Sequence, residues 1–63
     1  METTSVNKVD IPDGTYNGLW SGYDIFVEGY ENIRITASEG MKGINIPCIV
    51  QIKDKEARVK SLI

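Results

Sequence analysis

The stretch of sequence that decides the fold is residues 44–61, INIPCIVQIKDKEARVKS. Apolar side chains occupy every second position in its first half, and successive side chains of a β-strand point to opposite faces. This alternation predicts a strand whose core face carries Ile44, Ile46, Cys48, Val50 and Ile52. A second alternating segment, 56–61, predicts the strand that follows.

The Asp54-Lys55 pair between these segments predicts a hairpin with a two-residue turn. Such a turn sets Ile52 opposite Ala57 and Val50 opposite Val59, so that apolar side chains face each other across the two strands. A longer loop is the alternative, because the pair contains neither glycine nor asparagine.

Further strands are predicted upstream, at 15–20, 23–27 and 33–36. A three-residue loop at 28–30 would set Ile25 opposite Ile33. The Ser21-Gly22 pair either turns the chain or bends one long strand at a bulge. Between the two halves of the chain, segment 37–43 is short and glycine-rich, with room for one helical turn at most.

Together these elements predict an all-β fold, a small antiparallel five-stranded meander or SH3-like barrel with little or no helix. A partly open OB-like barrel is the more cramped alternative. We expect residues 10–63 to form a single small β domain. Residues 1–9 lack periodicity and are expected to be a flexible N-terminal tail or a short edge segment.

The reactive groups of the chain argue against catalysis. The 63 residues include no histidine and one cysteine, so a serine or cysteine nucleophile would lack its usual base. Cys48 lies in an apolar run and is predicted to be a buried, unreactive thiol. The carboxylates lack the regular spacing of a calcium loop and are interpreted as surface charge. We therefore predict no enzymatic activity, no cofactor and no metal.

Five aromatic residues fall within fifteen positions, and a core of this size accommodates two or three of them. Trp20 and Tyr23 are predicted to be buried. Phe26 alternates with Ile25 and Val27 and is predicted to be exposed, which is typical of a protein interface, where aromatic side chains dominate the binding energy. The alternative is that the opposite face of the sheet is covered as well. Whether Tyr16 and the other aromatics face the core or the surface stays open.

Three glycines recur every four residues, at Gly14, Gly18 and Gly22. No Lys-Ser/Thr pair follows them, so a phosphate-binding loop is not indicated. Such glycines mark either a structural bend, which is favoured, or a binding groove, where a neighbouring backbone or an aromatic ring can approach closely.

The formal net charge of −2 is unevenly distributed. Residues 1–41 carry seven acids and two bases, whereas residues 42–63 carry five bases and two acids. Arg58 and Lys60 are predicted to share the outward face of the last strand, where they could contact phosphates. The alternative is an edge strand that lysines protect against aggregation.

The leading functional hypothesis is a small binding module, a protein-binding inhibitor or adaptor that occludes a surface of a larger partner. Its size and lack of catalytic groups are typical of proteins from compact viral or accessory genomes. The alternative is a small β-barrel that binds single-stranded nucleic acid, with Tyr16 or Trp20 stacking on bases. A third hypothesis is a structural subunit of a symmetric homo-oligomer. The candidate binding residues are Tyr16, Trp20, Phe26, Tyr30, Arg58 and Lys60.

The expected location is the cytoplasm, without membrane contact. An unbridged cysteine is typical of a reducing compartment. The first ten residues are polar and contain no apolar core of the kind a signal peptide has.

Overall fold

The computed structural model describes residues 1–63 and contains four β-strands. They are β1 (Glu2–Thr4), β2 (Gly14–Val27), β3 (Ile35–Lys53) and β4 (Glu56–Ser61). All neighbouring strands are antiparallel, in one open sheet with the order β1-β4-β3-β2. The all-β prediction is confirmed; the sheet has four strands where five were predicted, and it is not a closed barrel. The structure contains no helix, and so none that is long and apolar enough to cross a membrane.

The hairpin of β3 and β4 has the predicted register. Ile52 pairs with Ala57 and Val50 with Val59, and all four side chains are buried. The Asp54-Lys55 turn holds both residues at positive φ, 52° and 64°. Positive φ at both central residues defines the type I′ turn, whose twist matches that of the flanking strands.

The strand β2 joins two of the predicted strands into one. Its pairing with β3 changes register on both sides of Gly22, which has a φ of 59°. Of the two alternatives for Ser21-Gly22, the bend within one long strand is the one observed. In the same way β3 runs through segment 37–43, which is extended and contains no helical turn.

The predicted pairing of Ile25 with Ile33 is wrong, since Ile25 pairs with Ile35. Two consecutive tight turns lengthen the connection between β2 and β3. The Tyr30 N–H donates to the Val27 carbonyl at 3.0 Å, and the Ile33 N–H donates to the Tyr30 carbonyl at 3.0 Å. Each turn takes up residues that a three-residue loop would have left in the strand.

The predicted place of Ile44 on the core face is also wrong, because β3 bulges outward there. Trp20 pairs with Ile46 and Gly22 pairs with Met41. The four residues 42–45 of β3 therefore lie opposite the single residue Ser21 of β2. Asn45 has a φ of 55°, which interrupts the alternation of faces. Ile44 is consequently 76% exposed.

The core is a single cluster of twelve buried side chains from the three longer strands and the segment before β2. Trp20 is fully buried, as predicted. Tyr23 was predicted to be buried and is 61% exposed. Its ring lies on the surface over Gly40, where an added Cβ would be 3.0 Å from the ring. Ile25 and Val27 fill the core on that part of β2 instead.

The N-terminal segment takes part in the sheet, in contrast to the flexible tail expected for residues 1–9. Of the two alternatives considered, the short edge segment is the one observed, as β1. Beyond β1, Val9 and Ile11 are buried in the core. One isolated bridge, Ser5 with Ala37, links the end of β1 to the start of β3.

Replacing Lys55 by glycine is expected to stabilise the protein by about 0.5–1 kcal/mol, because a residue with a Cβ is strained at positive φ. The exposed Lys55–Asp10 pair, at 4.0 Å, contributes little that would be lost. Chemical denaturation measures the free energy of unfolding. Lys53→Gly, two residues earlier and within β3, is the matched control and is expected to destabilise. Equal destabilisation by both changes would contradict the assigned turn.

Candidate functional site

The most distinctive surface feature arises because β2 folds back on itself. The Glu28 N–H donates to the Asn17 carbonyl at 2.9 Å, so the two ends of the strand lie side by side. A Cβ added to Gly18 would lie 2.7 Å from the carbonyl oxygen of Phe26, closer than packed atoms allow. Gly18 therefore makes this close approach of two backbone segments possible.

Between the two halves of β2 lies an open depression of about 390 Å³, which we call the β2 groove. Leu19 and Phe26, each 41% exposed, are the large apolar side chains in it. Glu28 and Glu31 supply its charge, and no basic residue lines it. The remaining lining residues are Asn17, Gly18 and Val27. The predicted exposure of Phe26 is confirmed, and the structure places it beside Leu19.

A row of apolar side chains continues from the groove across the sheet. Leu19 pairs with Pro47 on β3, and the Pro47 carbonyl accepts the N–H of Leu62 just after β4, at 2.9 Å. Directly opposed residues on neighbouring strands project from the same face. We call Leu19, Pro47 and Leu62 the apolar row; Leu62 is 61% exposed.

The next rows on this outer face follow from the same register. From β2 to β4 they are Asn17–Ile49–Lys60 and Thr15–Gln51–Arg58. Lys60 and Arg58 are exposed, as predicted for the outward side of the last strand. Glu2 and Glu39 line a shallow depression together with them, so this part of the surface carries both signs of charge.

The other candidate aromatics have mainly structural roles. Trp20 is fully buried and its indole N–H donates to the Gly22 carbonyl at 2.9 Å, so in this structure it cannot stack on a nucleic-acid base. Tyr16 and Tyr30 pack edge to face, with ring centroids 5.6 Å apart. The Tyr16 hydroxyl donates to the Pro12 carbonyl at 2.6 Å. The pKa of Tyr16 is raised, mainly by loss of solvent around its hydroxyl and to a smaller extent by the neighbouring Tyr30. These contacts hold the segments before and after β2 against its first half.

The groups able to do covalent or metal chemistry are few. Cys48 is buried and unbridged, and burial raises the pKa of its thiol to about 11. The thiolate is the nucleophilic form, so this cysteine is protonated and inert near neutral pH. No three side chains among the acids and the cysteine lie close enough together to hold a metal ion.

Sequence reasoning missed the apolar row, although part of the signal was present. Extending the predicted hairpin register by a few residues brings Leu62 opposite Pro47. The third member, Leu19, alternates with the buried Trp20 and so had to face outward. Only the pairing of β2 with β3 aligns Leu19 with the other two.

Comparisons of the chain with protein-family models, with curated proteins and with solved structures found no match.

Replacing Gly18 by alanine is expected to destabilise the fold by about 1–3 kcal/mol, because the new methyl group would overlap the Phe26 carbonyl and force the halves of β2 apart. Thermal or chemical unfolding measures the change. Thr15→Ala, on the exposed side of the same strand, is the control and is expected to cost less than about 1 kcal/mol. An unchanged stability of the Gly18 variant would contradict the close approach.

Cys48 is expected to react slowly with a thiol reagent such as Ellman's reagent at pH 8 while the protein is folded. Burial blocks access to the sulfur and keeps it protonated. Labelling should become rapid once denaturant unfolds the chain, and its rate can be followed by absorbance. Equal rates in the folded and unfolded protein would show that the thiol is accessible.

Proposed function

We propose that this protein is a non-enzymatic binding module that acts as an inhibitor or adaptor by covering a surface of a larger protein. The observation that carries the proposal is the β2 groove, in which Leu19 and Phe26 lie exposed side by side. Aromatic and large aliphatic side chains that enter a partner's pocket supply most of the energy of protein interfaces. Glu28 and Glu31 surround this pair with polar charge, as the rim of an interface does.

The charge of the groove specifies what kind of protein surface fits it. Glu28 and Glu31 line it, and neither takes part in a salt bridge. The third acid of this region, Asp24, is paired with Arg34 at 3.3 Å. A partner that places a lysine or arginine beside an exposed apolar side chain would pair its charge with the acids and pack its apolar side chain against Leu19. Opposite charges at the rim would also speed association, and this effect weakens with salt.

The seam between β1 and β3 supports a finer proposal about the fold. The hydroxyl oxygens of Thr3 and Ser38 are 2.6 Å apart, and the Glu39 N–H donates to Thr3 Oγ1 at 3.0 Å. Together with the Ser5–Ala37 bridge, these bonds hold the edge strand β1 against the first half of β3, which β4 does not cover. We propose a relationship to small SH3-like barrels, with the β2 groove on the outside.

Binding of single-stranded nucleic acid is the alternative, and the exposed Arg58 and Lys60 on β4 favour it. Two observations count against it. Trp20 is buried and cannot stack on a nucleobase, and Glu2 and Glu39 lie beside Arg58 and Lys60. Acidic side chains next to a phosphate site repel the phosphate and reduce the electrostatic gain.

Phe26→Ser is expected to weaken partner binding strongly, because it removes the largest exposed side chain of the groove. Immobilised wild-type chain and the variant would be used to capture proteins from a lysate of the source cells, followed by binding assays with the purified partner. Truncating a central aromatic anchor should weaken the measured Kd about thirtyfold or more. Tyr23→Ser is the matched control, since Tyr23 is an exposed aromatic outside the groove.

The proposal fails if the same protein binds wild type and the Phe26 variant equally, or if no protein is recovered in stoichiometric amount. Tight binding of an oligonucleotide, with an affinity that falls as salt rises, would support the alternative instead. Melting curves of both variants check that the chain is folded in each assay.

A further inference from the structure

The exposed apolar side chains of the outer face form one line across the sheet. Phe26 lies beside Leu19 in the β2 groove and so continues the apolar row, which runs on through Pro47 to Leu62. All four side chains are exposed. Each comes from a different strand or half-strand, and neighbouring strands are about 4.8 Å apart, so the line is about 14 Å long. Contiguous exposed apolar surface of this kind marks an interaction site.

The spacing of this line selects the secondary structure of what binds it. Apolar side chains on one face of an α-helix recur about once per 5.4 Å turn, close to the spacing of the strands. On one face of an extended chain they recur about every 6.8 Å, which falls out of step with the strands after one interval. From this match we propose that the outer face binds an amphipathic helix of a larger protein, laid across the strands along the apolar row. The inference deepens the proposed function and rests on it.

The surface on either side of the line adds apolar contacts at its centre. On one side β3 bulges outward at 42–45, where Ile44 is 76% exposed. On the other side Ile49 is half-buried and projects from the same face as Pro47, two residues away in β3. A helix that lies over Pro47 is therefore flanked by an isoleucine on each side.

The charges around the line set the direction of the helix. Glu28 and Glu31 lie at the β2 end, where neither takes part in a salt bridge and no base lines the groove. Asp24 is already paired with Arg34. At the β4 end the charges cancel, because two bases and two acids share one depression: Arg58, Lys60, Glu2 and Glu39. The N-terminus of a helix carries about half a positive charge from its peptide dipoles. The bound helix therefore lies with its N-terminus over the two free acids of the groove.

A synthetic peptide tests the proposal directly. The probe is an amphipathic helix of about sixteen residues of alanine and glutamine, with leucines three and four positions apart on one face and two lysines at its N-terminus. It is titrated into the isotope-labelled full chain and followed by NMR. The amide signals of Leu19, Phe26 and Leu62 are expected to shift, with a Kd below about 1 mM. A peptide of the same composition with leucine at every second position is the control, and it should bind at least about tenfold more weakly.

Leu62→Ser is expected to weaken binding of the helical peptide about tenfold, because only a ligand that lies along the whole row contacts Leu62. Val6→Ser is the matched control, since Val6 is as exposed as Leu62, 62% against 61%, and lies outside the rows of the outer face. A paramagnetic tag on the N-terminus of the peptide should broaden the amide signals of Glu28 and Glu31 more strongly than that of Leu62.

The proposal is overturned if the helical peptide at about 1 mM shifts none of these signals, or if wild type and the Leu62 variant bind it equally. Equal binding of the peptide with alternating leucines would overturn it too, and stronger broadening at Leu62 than at Glu28 would overturn the assigned direction. These outcomes are separate from those for the proposed function. A protein captured through Phe26 whose affinity is unchanged by Leu62→Ser refutes the helix alone, whereas a bound helical peptide with no protein recovered from the lysate refutes the larger partner alone.

Discussion

The close contact between Gly18 and the backbone at Phe26 is the constraint on which the surface of this protein depends. A side chain at position 18 would separate the halves of β2, and the groove between them would lose its walls. The buried Trp20 stabilises the bend that produces this contact, because its indole N–H donates to the Gly22 carbonyl within the same bend. The same bend of β2 therefore determines both the packing of Trp20 in the core and the shape of the exposed groove. A substitution that relaxes the bend would change the stability of the fold and the shape of the groove together.

The hairpin of β3 and β4 could be predicted from sequence because two independent signals agree there. Alternation with a period of two assigns the faces, and a two-residue connection leaves one register that matches apolar with apolar. The longer strands could not be predicted in the same way. Residues 42–45 bulge because Asn45 takes a positive φ, and nothing in an alternating pattern announces a change of that kind. Strand lengths depend on hydrogen bonds to distant residues, which local periodicity does not contain.

The candidate surface was predictable to the extent that it depends on alternation alone. Phe26, Arg58 and Lys60 face outward as the pattern indicates. Tyr23 does not follow its pattern: it is exposed and lies over Gly40, at the point where the pairing of β2 with β3 shifts register between Gly22 and Asp24. The apolar row needs the register between β2 and β3, and that register shifts twice. The order and the register of the strands could not be predicted from the sequence. They are what aligns the separate outward residues into a continuous face.

The pairing of β1 with β4 has a consequence for how the molecule forms. The first strand pairs with the last, 54 to 58 positions away, from Thr4 opposite Arg58 to Glu2 opposite Lys60. Closing a contact across almost the whole chain loses conformational entropy before it gains any interaction, and proteins dominated by such distant pairings fold in milliseconds to seconds. During synthesis the first strand therefore has to wait until the last one has left the ribosome. The sheet is completed only after translation of this segment ends, and until then the edge of β3 that β4 will cover is open to other chains.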